Sequence, residues 1–173
     1  KVAGFLISQG RYNAGLSKKE IKIDDHKIVY LESKTGHETI LLLHGYAANK
    51  DSWLVFSSYL KDYHVVIPDI PGYGESSKLV GAKYDVANQI ERLHKFSQEI
   101  KINKFHIVGN SMGGWFAGAY AVRFPKEVLS VGFFDAAGVK FPRSSEVMKI
   151  MQKGENPLIL KDENDYPRLM SLI

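Results

Sequence analysis

A serine framed by glycines carries the clearest chemical signal in this sequence. Within "HIVGNSMGGW", residues 106–115, the pattern Gly109-Asn110-Ser111-Met112-Gly113 follows a short β-branched run and precedes a helical pattern. A nucleophilic serine needs a sharp strand-to-helix turn that exposes its hydroxyl, with the N-terminus of the helix directed at the site. Glycines suit the flanking positions because strand and helix leave no room for side chains there. The pattern therefore predicts Ser111 as the nucleophile of an acyl-transfer reaction.

Such a nucleophile works with an oxyanion hole, which holds the negative charge on the reacting carbonyl oxygen. One predicted donor is the backbone N–H of Met112, and the other is the N–H of Tyr46, in the loop after "TILLLHG". Loss of one such donor typically costs about 100- to 1000-fold in turnover. His44, in the same loop, precedes the nucleophile, so we expect it to hold the loop by hydrogen bonding rather than to act as base.

The proton relay is the part that the sequence does not supply. In this arrangement the chain order is serine, acid, histidine, yet all six histidines precede Ser111: His26, His37, His44, His64, His94 and His106. Asp135 follows the next apolar run and is a candidate acid, with capping of its turn as the alternative. We therefore expect an elbow without its base, capable of no more than about 1000- to 10,000-fold catalysis over water.

Alternating strand and helix patterns predict the elements that position these residues. "EIKIDDHKIVYLES" predicts two antiparallel strands, and "TILLLHG", "HVVIPDIPG", "KFHIVGN" and "VLSVGFFDAAG" predict four buried ones. Helices are expected from a cap at Asp51 or Ser52, from Asp85, and over 113–124. This alternation is typical of an α/β protein with a mainly parallel sheet and helices on both faces.

Composition excludes several other functions. The net charge of +4 is spread over short clusters, unlike the basic face with stacking aromatics of a nucleic-acid binder. The absence of cysteine excludes thiol catalysis and cysteine metal sites.

The motif "DIPGYGES", residues 69–76, begins like a dinucleotide-binding loop. It lacks the third glycine of such a loop, because Ser77 stands in that place. We interpret Asp69 as a structural cap for the loop.

Together, His44-Gly45-Tyr46, "DIPGYGES" and "VGNSMGG" resemble the α/β-hydrolases, especially lipases of the monoacylglycerol-lipase type. The resemblance implies hydrolysis of carboxylic esters, plausibly acylglycerols, without a metal or organic cofactor. It implies Ser111 as nucleophile and Tyr46 and Met112 as backbone donors. It also divides the chain into an N-terminal extension (1–18), the N-terminal part of a hydrolase core (19–140) and the start of a cap (141–173), truncated before the last strands.

The predicted cap supplies the remaining substrate contacts. Tyr46, Met148 and Met151 are expected to touch substrate, and an acyl pocket is predicted from Met148, Ile150, Met151, Leu158 and Ile159, with plain core packing as the alternative. The expected partner is an ester or lipid molecule, with peripheral contact to a lipid surface and no nucleic acid. The apolar patch at 2–7 is compatible with the remainder of a targeting segment, and the sequence assigns neither compartment nor oligomeric state.

Two other functions stay open at this point. One is a catalytically silent ligand-binding module that has kept the fold, and the other is a carbon–carbon bond hydrolase. Epoxide and haloalkane hydrolysis would require an aspartate in the elbow, where this chain has Ser111.

Overall fold

A six-stranded sheet organises the chain. The computed structural model describes residues 2–33, 35–139, 146–157, 159 and 162–171. The strands are β1 (Leu16–Ile23), β2 (His26–Ser33), β3 (Thr39–Leu43), β4 (His64–Pro68), β5 (Phe105–Asn110) and β6 (Val128–Phe134). The helices are α1 (Val2–Asn13), α2 (Leu54–Ser57), α3 (Val86–Glu99), α4 (Met112–Arg123), α5 (Glu146–Gln152) and α6 (Asp165–Met170).

The sheet runs in the order β1-β2-β4-β3-β5-β6. β1 pairs antiparallel with β2, and β2 pairs antiparallel with β4. The neighbours β4, β3, β5 and β6 are parallel. The predicted α/β class with a mainly parallel sheet is confirmed, and the carboxyl ends of β3, β5 and β6 meet at one edge.

Alternation along the central strands builds a core on each face of the sheet. In β3, Leu41 and Leu43 pack in the core that α3 and α4 cover, whereas Ile40 and Leu42 pack in the core that holds Trp53. This pattern explains why "TILLL" is apolar at nearly every position.

The helix after β3 begins differently from the prediction. Asn49, rather than Asp51 or Ser52, is the cap: its side chain accepts from the N–H of Asp51, and Ser52 completes a capping box. A 3-10 turn over Lys50–Trp53 follows, and α2 has only four residues. Asp85 caps α3 as predicted, accepting from the N–H of Asn88.

The strand β6 corrects one prediction and confirms another. Its apolar run predicts burial, but its residues are half-buried or exposed. Its place as the last strand before the predicted truncation predicts an unpaired edge with an apolar face, and only β5 pairs with it in the described part of the chain. Leu129 and Phe133 are among the exposed apolar side chains. β6 is therefore an edge strand here.

Contacts divide the chain into two compact units, Lys1–Gly138 and Val139–Ile173. The first contains the whole sheet, with β1 beginning at Leu16, inside the segment for which the sequence predicts an extension. The second contains α5 and α6, neither of which has a buried residue. None of the helices described is both long and apolar enough to cross a membrane.

Candidate active site

Ser111 occupies a strained turn between β5 and α4. Its φ of 51° and ψ of −116° lie outside the helical and extended regions. A side chain in such a conformation costs of the order of 1–3 kcal/mol, and residues of this kind cluster at functional sites. The half-buried serine stands at the carboxyl edge of the parallel strands, where ligands of open α/β sheets bind.

Three glycines make this turn sterically feasible. A Cβ added to Gly109 would lie 2.1 Å from the carbonyl oxygen of Gly113, and one on Gly113 would lie 2.2 Å from the carbonyl oxygen of Leu43. A Cβ on Gly114 would lie 2.6 Å from Cβ of Ala136. All three distances are below any real contact, so α4 can approach the sheet this closely only with glycine at these positions.

The end of β6 fixes the elbow from the other side. The N–H of Ser111 donates to the carbonyl of Phe134 at 2.9 Å, and the N–H of Ala137 donates to the carbonyl of Ser111 at 2.9 Å. The side-chain amide of Asn110 also donates to the Phe134 carbonyl, at 3.3 Å. The backbone of the serine is therefore held on both sides while its hydroxyl has no hydrogen bond to any described residue.

Two backbone donors remain unused beside the serine. The N–H groups of Met112, the first residue of α4, and of Tyr46 donate to no acceptor in the described residues. The two loops lie close together, since a Cβ on Gly45 would be 3.4 Å from Cβ of Ser111. A helix N-terminus favours negative charge, so this juxtaposition suits an oxyanion.

His44 supports the loop that carries Tyr46. Its ring is completely buried; Nδ1 donates to the carbonyl of Gly45 at 2.8 Å, and Nε2 accepts from the N–H of Ile70 at 3.0 Å. Burial lowers the pKa of His44. With both nitrogens engaged, the neutral ring fixes the loop, which confirms the expected role.

A buried ion pair anchors the same loop to the segment after β4. Lys50 and Asp69 are both buried, with Lys50 Nζ 2.8 Å from Asp69 Oδ2 and 2.8 Å from Glu75 Oε1. Asp69 also accepts from the N–H groups of Lys50 and Glu75, at 2.7 and 2.8 Å. Burial acts to lower the pKa of Lys50, but the bonds to both carboxylates outweigh it and raise that pKa. The interpretation of Asp69 as a structural cap is confirmed.

Tyr73 is a residue of the site that the sequence does not reveal. Its hydroxyl donates to the sulfur of Met112 at 3.3 Å. Its ring meets those of His44 and Tyr46 edge-on, at centroid distances of 5.5 and 6.0 Å. Tyr73 thus connects the two predicted oxyanion residues, and only its position in "PGYGES" beside the loop hints at this.

The predicted acid stands near the elbow. Asp135 follows Phe134, has a φ of 45° and is exposed. Its carboxylate makes no hydrogen bond or ion pair among the described residues, so the alternative role of capping its turn is not seen. Its role as catalytic acid stays a prediction.

None of the six histidines reaches the serine. His64 and His106 lie near the amino ends of β4 and β5, and His26 follows the first hairpin turn. His94 lies in α3, where it stacks on Phe124 at 3.8 Å. No histidine hydrogen-bonds to the Ser111 hydroxyl, so the missing relay expected from chain order is also missing in space.

The predicted acyl pocket residues lie in the unit Val139–Ile173. Met148 and Met151 are exposed in α5, Ile150 is half-buried, and Ile159 is exposed. Leu158 lies outside the described residues. Their contact with substrate stays a prediction, as does that of Tyr46, whose side chain is 49% exposed.

A model of the alpha/beta hydrolase fold family matches residues 38–152, which include the elbow, the loop of His44 to Tyr46 and the sheet edge described above. The chain belongs to this family, as its sequence motifs predict.

Individual relatives define the resemblance further. Lipase 1 of Psychrobacter immobilis is 36% identical over 174 residues, which cover 97% of this chain and 54% of the lipase. Monoacylglycerol lipase ABHD6 of Bos taurus is 32% identical, with coverage of 83% and 44%. The crystal structure of a bacterial membrane phospholipase A matches with a TM-score of 0.88 and 42% identity, covering 98% of this chain and 57% of that one. The chain spans about half the length of the curated relatives it matches.

Proposed function

We propose that this chain carries the nucleophile and oxyanion hole of a serine-dependent carboxylic ester hydrolase that acts on acylglycerols or related ester lipids. The observation that carries the proposal is the strained conformation of Ser111 beside two unused backbone N–H groups. A strained, glycine-packed turn would not persist for packing reasons alone, because glycine at position 111 would adopt it at lower cost.

In the proposed reaction, Ser111 Oγ attacks the ester carbonyl carbon and loses its proton to a general base. The N–H groups of Tyr46 and Met112 hold the negative charge on the former carbonyl oxygen. The bond to the alcohol breaks as the alcohol oxygen takes up the proton, which leaves the acyl group on Ser111. Water, deprotonated by the same base, then releases the carboxylic acid and restores the serine. No step needs a metal or an organic cofactor.

The general base is proposed to come from residues outside this chain. Support comes from the histidines, since none lies after Ser111 in the sequence and none bonds to its hydroxyl. Coverage of only 54% of Lipase 1 and 57% of the phospholipase A leaves room for further strands, an acid and a histidine. Reading the gene past the codon for Ile173 tests this part: a glycine-flanked histidine after a further strand and carboxylate is expected.

The substrate class rests on the relatives, whose names describe a lipase, a monoacylglycerol lipase and a phospholipase A. All three names denote enzymes that act on ester lipids. The proposed substrate of this protein is accordingly an acylglycerol or a related ester lipid.

A fluorophosphonate probe on the full-length protein tests the nucleophile. We expect covalent labelling and ester hydrolysis in the wild type, and loss of both in Ser111→Ala, with turnover reduced by roughly four orders of magnitude or more. Ser130→Ala is the matched control, since Ser130 is exposed on β6 and pairs with His106; it should label like the wild type.

Two results would contradict the proposal. One is hydrolysis that survives Ser111→Ala, which would require another nucleophile. The other is a full-length protein that neither labels nor hydrolyses but binds lipid esters, which would favour the ligand-binding module.

A further inference from the structure

An apolar groove opens beside the nucleophile within the unit Lys1–Gly138. It has a volume of about 410 Å³, within the range of small-molecule sites of about 300–1000 Å³. Its apolar walls are Trp53, Val55, Phe56, Tyr59 and Phe134. We refer to it as the aromatic groove.

The inner end of the aromatic groove reaches the elbow. Gly45 and Asn110 line it, and Asn110 directly precedes Ser111. A Cβ on Gly45 would lie 3.0 Å from Oδ1 of Asn110 and 3.4 Å from Cβ of Ser111. A group bound to Ser111 Oγ therefore has the inner end of the groove as an immediate neighbour.

The lining of the groove selects for an uncharged, apolar occupant. Three rings form its wall, with centroid distances of 5.5 Å for Trp53–Phe56, 5.8 Å for Trp53–Phe134 and 5.6 Å for Phe56–Phe134. No Asp, Glu, Lys or Arg occurs among the described residues that line it. Two described residues of the lining carry titratable rings: His44, whose two nitrogens are already bonded to the backbone, and Tyr59, whose phenol lies at the exposed rim.

The outer rim of the groove continues the apolar surface to solvent. Val55, in α2, is 76% exposed, and Tyr59, in the turn that follows it, is 80% exposed. Exposed apolar side chains that continue a buried apolar wall suit a ligand longer than the groove is deep.

A second cavity at the site has a different chemistry. It also measures about 410 Å³, but it is lined by Tyr46, Tyr73 and Tyr84, together with Lys78, Leu79 and Val80. The cation of Lys78 suits a polar group, such as the alcohol portion of an ester, better than an alkyl chain. The hydroxyls of Tyr73 and Tyr84 are already bonded, to the sulfur of Met112 and to the backbone of Leu79.

From this contrast we propose that the aromatic groove binds the acyl chain of the ester substrate. The inference rests on the proposed function, because it takes the carbonyl carbon to be bonded to Ser111. It differs from the pocket predicted from Met148 and Met151, since the whole groove belongs to the unit that carries the nucleophile.

The acyl assignment is tested by introducing a negative charge into the aromatic groove. Hydrolysis of p-nitrophenyl acetate and p-nitrophenyl octanoate by the full-length protein is compared as the ratio of kcat/KM for the two esters. In the wild type, kcat/KM should rise by up to roughly fourfold for each added methylene that the groove buries. Val55→Asp should lower the octanoate-to-acetate ratio by roughly tenfold or more, because the alkyl chain would meet a carboxylate.

Two control variants replace a different exposed valine by aspartate. Val122→Asp lies on α4, where Val122 is 85% exposed, and should keep the wild-type ratio. Val80→Asp places the charge in the second cavity and should also keep it. If Val80→Asp lowers the ratio and Val55→Asp does not, the acyl chain lies in the second cavity and the proposal is wrong.

The two proposals fail in different ways. Hydrolysis that persists in Ser111→Ala overturns the proposed function. Hydrolysis that depends on Ser111, with a Val55→Asp ratio equal to that of the wild type, overturns only the acyl assignment. Thermal unfolding of Val55→Asp controls for folding; Val55 is exposed, so little change in Tm is expected.

Discussion

The two ends of the parallel strands use similar residues in opposite ways. At the amino end, His64 bonds to Glu32 at 2.8 Å and to Thr39 at 3.0 Å, and His106 bonds to Ser130 at 2.8 Å. At the carboxyl end, the Ser111 hydroxyl has no bond to a described residue, and its backbone is strained.

This difference separates fully bonded structural groups from the unbonded Ser111 hydroxyl, which residue type alone does not do. Serine and histidine at the amino end have partners and unstrained backbones, so they stabilise the fold. The carboxyl end combines strain, unused donors and a rigid support of buried groups, which is the combination that functional sites show. The buried groups that support the site are His44, Lys50 and Asp69. Like the histidines at the amino end, their side chains all have hydrogen-bond partners.

The largest effect should come from a methyl group between α4 and the carboxyl end of β3. Gly113→Ala would bring Cβ to 2.2 Å from the Leu43 carbonyl oxygen, so helix and sheet must separate. We expect a loss of more than about 4 kcal/mol in the free energy of unfolding, or failure to fold. Urea unfolding measures this. The control is Gly118→Ala in the same helix, where the nearest contact of an added Cβ is 3.4 Å; this variant should be neutral or stabilising by up to about 1 kcal/mol. Equal losses in the free energy of unfolding for the two variants would show that α4 itself is sensitive to alanine, rather than its close approach to the sheet.

The buried ion pair should give the next largest effect. Lys50→Met leaves the carboxylate of Asp69 buried without its cation, which typically costs about 3–5 kcal/mol. Lys18→Met removes another lysine that pairs with Glu75, but the Lys18 side chain is 47% exposed, so its loss should cost less than about 1 kcal/mol. Comparable Tm values for the two variants would mean that Lys50 contributes no more than a surface pair.

Two histidine variants compare the ends directly. His44→Phe removes both bonds that fix the loop of Tyr46. Under the proposed function, a displaced Tyr46 N–H is expected to lower kcat by up to about 100-fold with a smaller change in KM. His106→Phe, at the amino end, should leave kcat unchanged. Steady-state kinetics on an acetate ester separates the two, and an unchanged kcat in His44→Phe would remove His44 from the support of the site.

The smallest effect concerns acid stability. Hydrogen bonds from Lys18 and Lys50 lower the pKa of Glu75 from 4.5 to about 2. Because the folded pKa is depressed, the stabilisation by Glu75 is full above pH 4.5 and is lost as the pH falls through about 2. Glu75→Gln should therefore lower Tm at pH 6, with a difference that shrinks between pH 4.5 and 2. Glu20→Gln, whose carboxylate is exposed with a 3.7 Å contact to Lys27, should match the wild type throughout. A difference for Glu75→Gln that is constant with pH would contradict this account.

Much of the carboxyl edge could be predicted because its constraints are local. An apolar run, a glycine pair around a serine and a helical pattern are contiguous in 105–124, and they predict β5, the elbow and α4 together. The cap at Asn49 was missed because its capping box uses Ser52 in place of the usual Glu or Gln.

The parts that could not be predicted depend on distant residues. Lys50 resembles a solvated surface charge, and only the fold brings it to Asp69, 19 positions away. In the sequence Tyr73 is an ordinary loop tyrosine, and only the structure shows its contact with Met112. The burial predicted for β6 was wrong, because an apolar run indicates burial without showing which neighbour covers it. The unpaired edge expected of the last strand before the predicted truncation was right.

The strain at Ser111 has a consequence for how such a chain can evolve. Glycine at 111 would relieve about 1–3 kcal/mol of strain, offset by about 0.5–1 kcal/mol from its greater freedom in the unfolded chain. Selection for heat tolerance alone would thus favour the loss of the nucleophile, while the aromatic groove and the unused donors would persist. A descendant adapted in this way would be a more robust protein that still receives lipid esters and no longer cleaves them, so a receptor lies one substitution from the proposed enzyme.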